Sequence, residues 1–345
     1  MEVAKEYELV VIGSGILGAT VFNMAVKQGI NACIIDKGRF SSAATASSGG
    51  LVRIIHDTLD MTLASSESFS EVSSHSSFKR TGALYIDKVE NIYKRVKEVE
   101  QINKKFNFDL KILPPSELIN FSDRFYSPSE ECAAIYEPYS GYLNPYELST
   151  GLINEGIYEG GTPMEYVEVN SIVDEKKIAE ISTSAGKIYS SNVFLATGAW
   201  TKELMSKLGG VSKSYNKAIH VYHVKKNVEL QHPIVVDDYS DIFIRPDIKQ
   251  YSYVGYNNQT IGIGPDYCKP KYDESMYKTF ESRLSWFSDS KVVGSRFGVD
   301  SYCIENNLNL NRVNNMPHVG FYSGLNGAGV KFSHSLSKQY LKSII

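Results

Sequence analysis

The chain has 345 residues, of which 42% are hydrophobic and 22% charged, values that are typical of a globular protein and exclude a disordered or fibrous one. A single hydrophobic core rarely serves more than about 300 residues, so we expect two substructures. Lysine and arginine number 36 against 39 acidic residues, a net charge of -3, and this balance lacks the basic surplus that nucleic-acid binding requires.

The cysteines and the apolar runs indicate the cellular compartment in which the protein is expected. The N-terminal residues are charged, the apolar run that follows is too short for a signal peptide, and no stretch reaches the roughly 18 apolar residues of a membrane span. The chain has four cysteines that form no CxxC pair, so neither disulfides nor a metal site are predicted: Cys33, Cys132, Cys268 and Cys303. We expect a cytoplasmic protein without a transmembrane segment, and the sequence leaves its oligomeric state open.

The first segment predicts a strand, a glycine-rich turn, a helix and a second strand. Residues 9–12 are wholly apolar, as in a strand buried on both faces of a parallel sheet. In the turn, Gly13 permits the tight bend, Gly15 lets the backbone approach a pyrophosphate, and Gly18 lets the helix pack closely on the strand. A second apolar run covers residues 32–35. The order of these signals predicts a β-α-β dinucleotide-binding unit.

The polar groups of this unit suit a dinucleotide. The helix begins at Ile16 and Leu17, where free N–H groups and the positive end of the dipole favour phosphate. Asp36 follows the second strand, 18 residues after Gly18, where a carboxylate can accept a hydrogen bond from a ribose hydroxyl. A carboxylate also repels a 2′-phosphate, which argues against NADP. The small polar residues 41–50 predict a loop packed against the ligand.

The rest of the chain contains both predicted helices and predicted strands. Helices are predicted over residues 61–71, 89–106, 145–157, 274–287 and 335–344, and strands over residues 82–86, 164–169, 173–182, 187–189 and 191–195. Residues 211–287 are otherwise rich in strand and aromatic signals. We predict an α/β fold with a discontinuous Rossmann-like domain (residues 1–80, 144–212 and 297–345). An inserted α+β substrate domain with a mostly antiparallel sheet covers residues 81–143 and 213–296.

Four segments carry a family resemblance: the β-α-β unit, Ser-Ser-Gly-Gly-Leu-Val-Arg-Ile-Ile at 47–55, Ala-Thr-Gly-Ala-Trp at 196–200, and the glycine-rich tail at 324–333. Together they resemble FAD-dependent amine oxidoreductases of the D-amino-acid oxidase superfamily, in particular the monomeric sarcosine oxidase and N-methyltryptophan oxidase branch. The resemblance implies FAD rather than NAD. Two further glycine-rich elements agree, since they let backbone approach a large flat cofactor.

The resemblance also implies which residues contact the cofactor. Lys331 and the backbone of the tail would lie beside the flavin ring and favour the negative charge that forms there on reduction. The predicted FAD-binding residues are Gly13, Gly15, Ile16, Leu17, Gly18, Asp36, Lys37, Ser47, Ser48, Glu168, Ala196, Gly198, Trp200, Cys303, Gly324, Gly327, Gly329, Val330 and Lys331.

The implied reaction is oxidation of a C–N bond in a small amino, imino or N-methylamino acid. A hydride equivalent passes from the substrate α-carbon to flavin N5, and the imine is then hydrolysed. Arg53, His56 and Lys331 are predicted near the substrate, with Lys331 at the family's carboxylate-binding lysine. His56 stands where the family has an arginine, and histidine cannot make the planar two-point contact of a guanidinium. Tyr253 stands where the family has an oxygen-activating lysine, so either oxygen or another electron acceptor is predicted.

Cys303 stands where sarcosine oxidases carry a cysteine bound covalently to the flavin. The family's downstream Thr-Pro-Asp is missing, so a non-covalent FAD is the prediction and a thioether the alternative. Two other functions also fit the motifs: a flavin dehydrogenase of a 2-hydroxy acid or glycerol phosphate, and a non-catalytic FAD-binding accessory subunit.

Overall fold

The glycine-rich unit at the start of the chain organises the structure. The computed structural model describes residues 5–175, 178–256, 260–267 and 274–345. A strand over Lys5–Ile12, a helix over Ile16–Lys27 and a strand over Ala32–Asp36 form the predicted β-α-β unit. The two strands pair in parallel, with Leu9 opposite Ala32. Gly13 therefore lies in the turn between the first strand and the helix.

The strands in chain order are β1 (Lys5–Ile12), β2 (Ala32–Asp36), β3 (Leu51–Val52), β4 (Lys79–Arg80), β5 (Ala83–Lys88), β6 (Lys111–Leu113), β7 (Cys132–Glu137), β8 (Gly141–Tyr142), β9 (Thr162–Glu165), β10 (Val169–Glu175), β11 (Ile178–Thr183), β12 (Gly186–Leu195), β13 (Ser214–Lys225), β14 (Ile234–Asp237), β15 (Ile242–Pro246), β16 (Tyr251–Tyr256), β17 (Lys291–Cys303), β18 (Leu310–Val313) and β19 (Met316–Tyr322). The helices are α1 (Ile16–Lys27), α2 (Ala44–Ser47), α3 (Leu59–Ser73), α4 (Val89–Lys94), α5 (Val96–Phe106), α6 (Pro115–Ser122), α7 (Pro145–Tyr158), α8 (Thr201–Lys207), α9 (Glu274–Arg283) and α10 (Gly329–Lys342).

The first sheet brings together strands from the start, middle and end of the chain. Its order is β10-β11-β12-β1-β2-β9, and β19 pairs with both β12 and β18. The pairs of β1 with β2 and β12, of β12 with β19 and of β2 with β9 are parallel. Helices α1, α3, α7 and α10 pack on one another against one face, around buried residues such as Phe22 and Phe332. Parallel strands covered by helices explain why residues 9–12 are wholly apolar.

The second sheet has the order β17-β13-β16-β15-β14-β5-β7-β6. Its pairs are antiparallel except for β14 with β5. Aromatic residues of α9 and the segment after it, including Phe280 and Trp286, fill the core against one face. The short strands β3, β4 and β8 form a third sheet. The long strand β17 runs from Lys291 to Cys303, across the predicted domain boundary at residue 297, and the boundaries themselves stay a prediction.

Several predicted elements were wrong in detail. The strands predicted over 187–189 and 191–195 form the single strand β12, and the strand predicted over 164–169 ends at Glu165. The segment predicted as one strand over 173–182 belongs to two strands, β10 and β11, which pair antiparallel with Glu175 opposite Ile178. The helix predicted over 89–106 is interrupted at Arg95, whose guanidinium turns inward to pair with Glu98 at 2.8 Å. The last helix begins at Gly329 rather than at residue 335, so its first turn belongs to the glycine-rich tail.

Cys33, Cys132 and Cys303 are free thiols, and Cys268 lies outside the described residues. No helix in the described ranges is long and apolar enough to cross a bilayer.

Candidate active site

A cavity of about 440 Å³ opens at the carboxyl ends of β1, β2 and β12 and extends to β17 and the first turn of α10. In open α/β sheets this edge is where dinucleotides bind. Most of the predicted cofactor residues line it: Gly13, Gly15, Ile16, Leu17, Asp36, Lys37, Ser48, Glu168, Ala196, Gly198, Trp200, Gly324, Gly327, Gly329, Val330 and Lys331. Gly18, Ser47, Cys303, Arg53 and His56 are not among the lining residues.

The glycine-rich turn is shaped by close backbone contacts. Gly13 has φ +100°, and a Cβ there would stand 2.4 Å from the carbonyl oxygen of Ala196. A Cβ at Gly18 would stand 2.0 Å from the carbonyl oxygen of Gly13, so Gly18 packs behind the turn rather than facing the cavity. The backbone N–H of Ile16 donates to the Thr45 hydroxyl at 3.0 Å. A side chain at Gly13 or Gly18 is therefore excluded by sterics.

Asp36 braces the same turn from the end of β2. The backbone N–H and the hydroxyl of Ser14 donate to its Oδ2 at 2.9 and 2.6 Å, and the N–H of Gly38 donates to its Oδ1 at 2.9 Å. The carboxylate also lines the cavity. Asp36 thus orients the glycine turn in addition to the role at a ribose that its sequence position predicts.

Trp200 also lines the cavity. The ammonium of Lys37 stands 4.4 Å from the centroid of the indole ring, a cation–π contact. Among the described residues, the buried Nε1 of Trp200 has no hydrogen-bond partner. A buried donor without an acceptor beside a cavity indicates a place for a ligand acceptor.

The deep end of the cavity carries two opposite charges. Lys331, in the first turn of α10, is buried, and its ammonium donates to the carbonyl oxygen of Gly327 at 3.5 Å. Burial, followed by the charge of Arg53, lowers the pKa of Lys331 to about 7, although the charge of Asp300 opposes both effects. Burial outweighs the opposing charge of Lys331 and raises the pKa of Asp300 to about 6. The side chain of Asp300 keeps intermediate exposure because it faces the cavity.

Arg53 lies near Lys331 but outside the cavity lining. Its guanidinium donates to the carbonyl oxygen of Ile55 and lies 5.5 Å from the centroid of the Tyr85 ring. The backbone N–H groups of Ile54 and Ile55 donate to the fully buried carboxylate of Glu137 at 2.6 and 2.9 Å. Glu137 therefore fixes the segment that carries Arg53, and the arginine acts on Lys331 through its charge.

His56 is buried and packs edge-on against Phe332, with 4.8 Å between ring centroids. Burial lowers its pKa well below the usual value, and the charges of Arg53 and Lys331 add to that effect. Its buried Nε2 has no hydrogen-bond partner in the part of the chain that the structure describes. A neutral imidazole that does not face the cavity is a poor substitute for a guanidinium.

Three further predicted residues lie outside the cavity wall. Ser47 approaches Gly298 of β17, where a Cβ would stand 3.0 Å from that of Ser47. Cys303 is buried, and its thiol lies 3.9 Å from Oδ1 of Asn307. Tyr253 stacks on His223 with 4.5 Å between ring centroids, inside the second sheet.

Sequence reasoning missed Asp300 and Thr45, which both line the cavity. Thr45 belongs to the small polar run that predicted a loop against the ligand, so its general position was available. Asp300 comes three residues before Cys303 on β17, and no motif in this strand indicates that its side chain faces the cavity.

The fold and the cavity define a dinucleotide-binding α/β protein. The family model described as FAD dependent oxidoreductase matches residues 8–340, and the chain belongs to that family. This confirms the resemblance and, at the level of the family, the prediction of FAD. The glycine turn at Gly13 and the glycine-rich tail beside Lys331 fit a large dinucleotide cofactor such as FAD. The Nε1 of Trp200, which has no hydrogen-bond partner among the described residues, also fits such a ligand.

The chain is similar to proteins that act on amino acids. It is 26% identical over 220 residues to monomeric sarcosine oxidase from Arthrobacter sp. (strain TE1826), covering 60% of this chain and 55% of that one. It is 22% identical over 214 residues to N-methyl-L-tryptophan oxidase from Yersinia pestis (strain Pestoides F), covering 59% and 56%. The matches thus span about half the length of these curated relatives.

Solved structures share the fold along nearly the whole chain. L-proline dehydrogenase from P. horikoshii superposes with a TM-score of 0.83 at 21% identity, covering 99% of this chain and 95% of that one. Glycine oxidase from Geobacillus kaustophilus gives 0.81 at 17% identity, with the same coverage. These likenesses confirm the predicted fold class.

Proposed function

We propose that the protein oxidises the C–N bond of a small amino, imino or N-methylamino acid with FAD, giving an imine that water hydrolyses. The observation that carries this proposal is the position of Lys331. A buried ammonium lines the end of the cavity beside Gly324, Gly327 and Gly329. A single fixed cation at this end suits a substrate with one carboxylate.

The bound FAD supplies a hydride acceptor, and the protein supplies position and charge. Gly324 and Gly327 keep the tail free of side chains where the flat ring would lie. Lys331 would hold the substrate carboxylate by a charge-assisted hydrogen bond and thereby fix the α-carbon. Glu137 accepts hydrogen bonds from Ile54 and Ile55 and so fixes the backbone next to Arg53. The positive charge of Arg53 near Lys331 is therefore positioned before the substrate binds.

The binding of the carboxylate differs from a two-point clamp. Arg53 donates to Ile55 instead of facing the cavity, and His56 is buried as a neutral ring. We therefore propose that Lys331 is the principal carboxylate ligand. A substrate carboxylate held by one ammonium should bind more weakly than one held by a guanidinium and an ammonium together.

An anaerobic reduction screen tests the activity. The FAD-loaded protein is mixed without oxygen with amino acids, cyclic imino acids, N-methylamino acids and 2-hydroxy acids, and flavin bleaching is followed. Bleaching by a nitrogen-containing acid supports the proposal. Bleaching only by hydroxy acids would identify a hydroxy-acid dehydrogenase, and bleaching by none would favour an accessory FAD-binding subunit.

The same reduced protein tests the electron acceptor. Tyr253 lies within the second sheet, and its hydroxyl accepts a hydrogen bond from Arg296 at 2.9 Å. It therefore supplies no cation where the family has an oxygen-activating lysine. We propose an acceptor other than oxygen, so that an artificial acceptor such as phenazine methosulfate reoxidises the flavin faster than air-saturated buffer does.

A further inference from the structure

Asp300 is a half-buried carboxylate that lines the cavity at the end where Lys331 lies. None of the described residues donates a hydrogen bond to its oxygens, and no ion pair within 4.0 Å joins it to Lys331 or to any other described cation. Once a ligand covers this carboxylate, leaving it without a donor is costly, and this favours a ligand that brings one.

The carboxylate of Asp300 and the ammonium of Lys331 are placed to bind two groups of one small molecule. A Cβ built at Gly327 would stand 3.7 Å from Oδ2 of Asp300, and the Lys331 ammonium lies 3.5 Å from the carbonyl oxygen of the same glycine. Asp300 and Lys331 thus approach one backbone position from β17 and α10, and both face the cavity. An amino acid carries its amino group and its carboxylate on one carbon, so it can pair with both at once.

We propose that Asp300 binds the amino group of the substrate and accepts the proton that the group must lose before oxidation. In this step an N–H bond of the substrate ammonium breaks, an O–H bond forms on Asp300, and the electron pair stays on nitrogen. The proposal rests on the proposed function. The transfer converts two charges into two neutral groups, which enclosure by the bound ligand favours because burial disfavours charge.

Other charged groups near Asp300 come from three elements. Lys331 on α10 lowers the pKa of its carboxyl, and Asp300 in turn raises that of Tyr302, two residues along β17. Lys217 is opposite Asp300 in the pairing of β13 with β17, but its ammonium lies over the Tyr302 ring, 5.2 Å from the centroid, and interacts with Asp241. Helix α2 and the turn at 198–200, which also contact β17, carry no ionisable side chain.

Two ligands of the same shape test amine recognition without turnover. 2-Aminoisobutyrate has no α-hydrogen and cannot be oxidised, and pivalate replaces its ammonium by a methyl group. Binding to the FAD-loaded protein is measured by calorimetry and by the change in flavin absorption between pH 5 and 9. We expect the wild-type protein to prefer 2-aminoisobutyrate at least tenfold at pH 7.5. This preference should fall below pH 6, as Asp300 is protonated.

In Asp300→Asn the preference should disappear, while pivalate binds at least as tightly because a like charge is gone. Asp57→Asn is the matched control, since Asp57 also acts on Lys331 but is exposed and outside the cavity wall. It should keep the preference. For an amino acid that bleaches the wild-type flavin, reduction of D300N should be slower at least tenfold at pH 7 and recover as the pH approaches the pKa of the free amine.

Three outcomes would overturn the proposal. A wild-type protein without a preference for the amine, or a D300N protein that keeps it, would show that Asp300 does not read the amino group. Loss of FAD from D300N would show that Asp300 binds the cofactor instead. Failure of the proposed function looks different: the amine preference persists, but no amino acid bleaches the flavin.

Discussion

Replacing Lys331 by methionine removes the buried ammonium and keeps most of the side-chain volume. Truncating one partner of a buried, hydrogen-bonded charge pair costs about 2–5 kcal/mol. The charge of Asp300 compensates part of the charge of Lys331, so we expect a cost within this range. A cost of about 3 kcal/mol corresponds to roughly a 150-fold loss. The loss should be seen in kcat/KM and in the affinity for a simple carboxylate such as pivalate.

The same variant has an opposite effect on folding. The pKa of Lys331 is lowered to about 7 from an ordinary 10.5, so between these values the unfolded chain binds more protons than the folded one. Protonated Lys331 therefore destabilises the FAD-free fold by up to about 5 kcal/mol below pH 7, and this penalty disappears as the pH rises towards 10.5. K331M lacks the penalty.

The assay is urea unfolding of both FAD-free proteins at pH 6.5 and pH 9.5, together with anaerobic flavin reduction of the loaded proteins. We expect K331M to be the more stable protein at pH 6.5, with a smaller difference at pH 9.5, while its flavin is reduced far more slowly. Near-normal reduction of K331M would refute the role at the carboxylate. An equal stability difference at both pH values would refute the buried titration.

Three further predictions concern the cofactor end. Gly13→Ala should abolish FAD binding, measured by flavin fluorescence, because its Cβ would stand 2.4 Å from the Ala196 carbonyl oxygen at φ +100°; an unchanged affinity would contradict the turn geometry. Asp36→Ala should weaken FAD binding by about 2–4 kcal/mol, because Ser14 and Gly38 lose their acceptor; Glu165→Ala, which removes an exposed acceptor of the Phe40 N–H, is the control and should cost less. Denatured protein should release all its flavin, and Cys303→Ser should do the same, since the thiol faces Asn307 outside the cavity wall; yellow colour that stays with the wild-type chain alone would establish the thioether.

The local signals of the β-α-β unit were sufficient to predict it. Leu9 to Ile12, the glycines at 13, 15 and 18 and the acid at 36 each act within a few residues of one another, and the structure places strand, turn and helix where the pattern does. The polar run at 41–50 likewise contains Thr45, whose hydroxyl accepts a hydrogen bond from the backbone N–H of Ile16 at the start of α1. Short-range constraints of sterics and hydrogen bonding are encoded by nearby residues.

The substrate end depended on contacts between distant parts of the chain. Asp300 faces Lys331 only because β17 lies beside the tail that starts α10, where a Cβ at Gly324 would stand 2.6 Å from the backbone nitrogen of Cys303. Arg53 turns away from the cavity because the carbonyl of Ile55 accepts its hydrogen bond, and neither fact follows from the spacing of residues. The sequence by itself determined the family, the cofactor and the dinucleotide turn. Tertiary packing decided which charged side chains line the cavity, because contacts between distant segments orient them. Burial and the charges of residues far along the chain then set their pKa values.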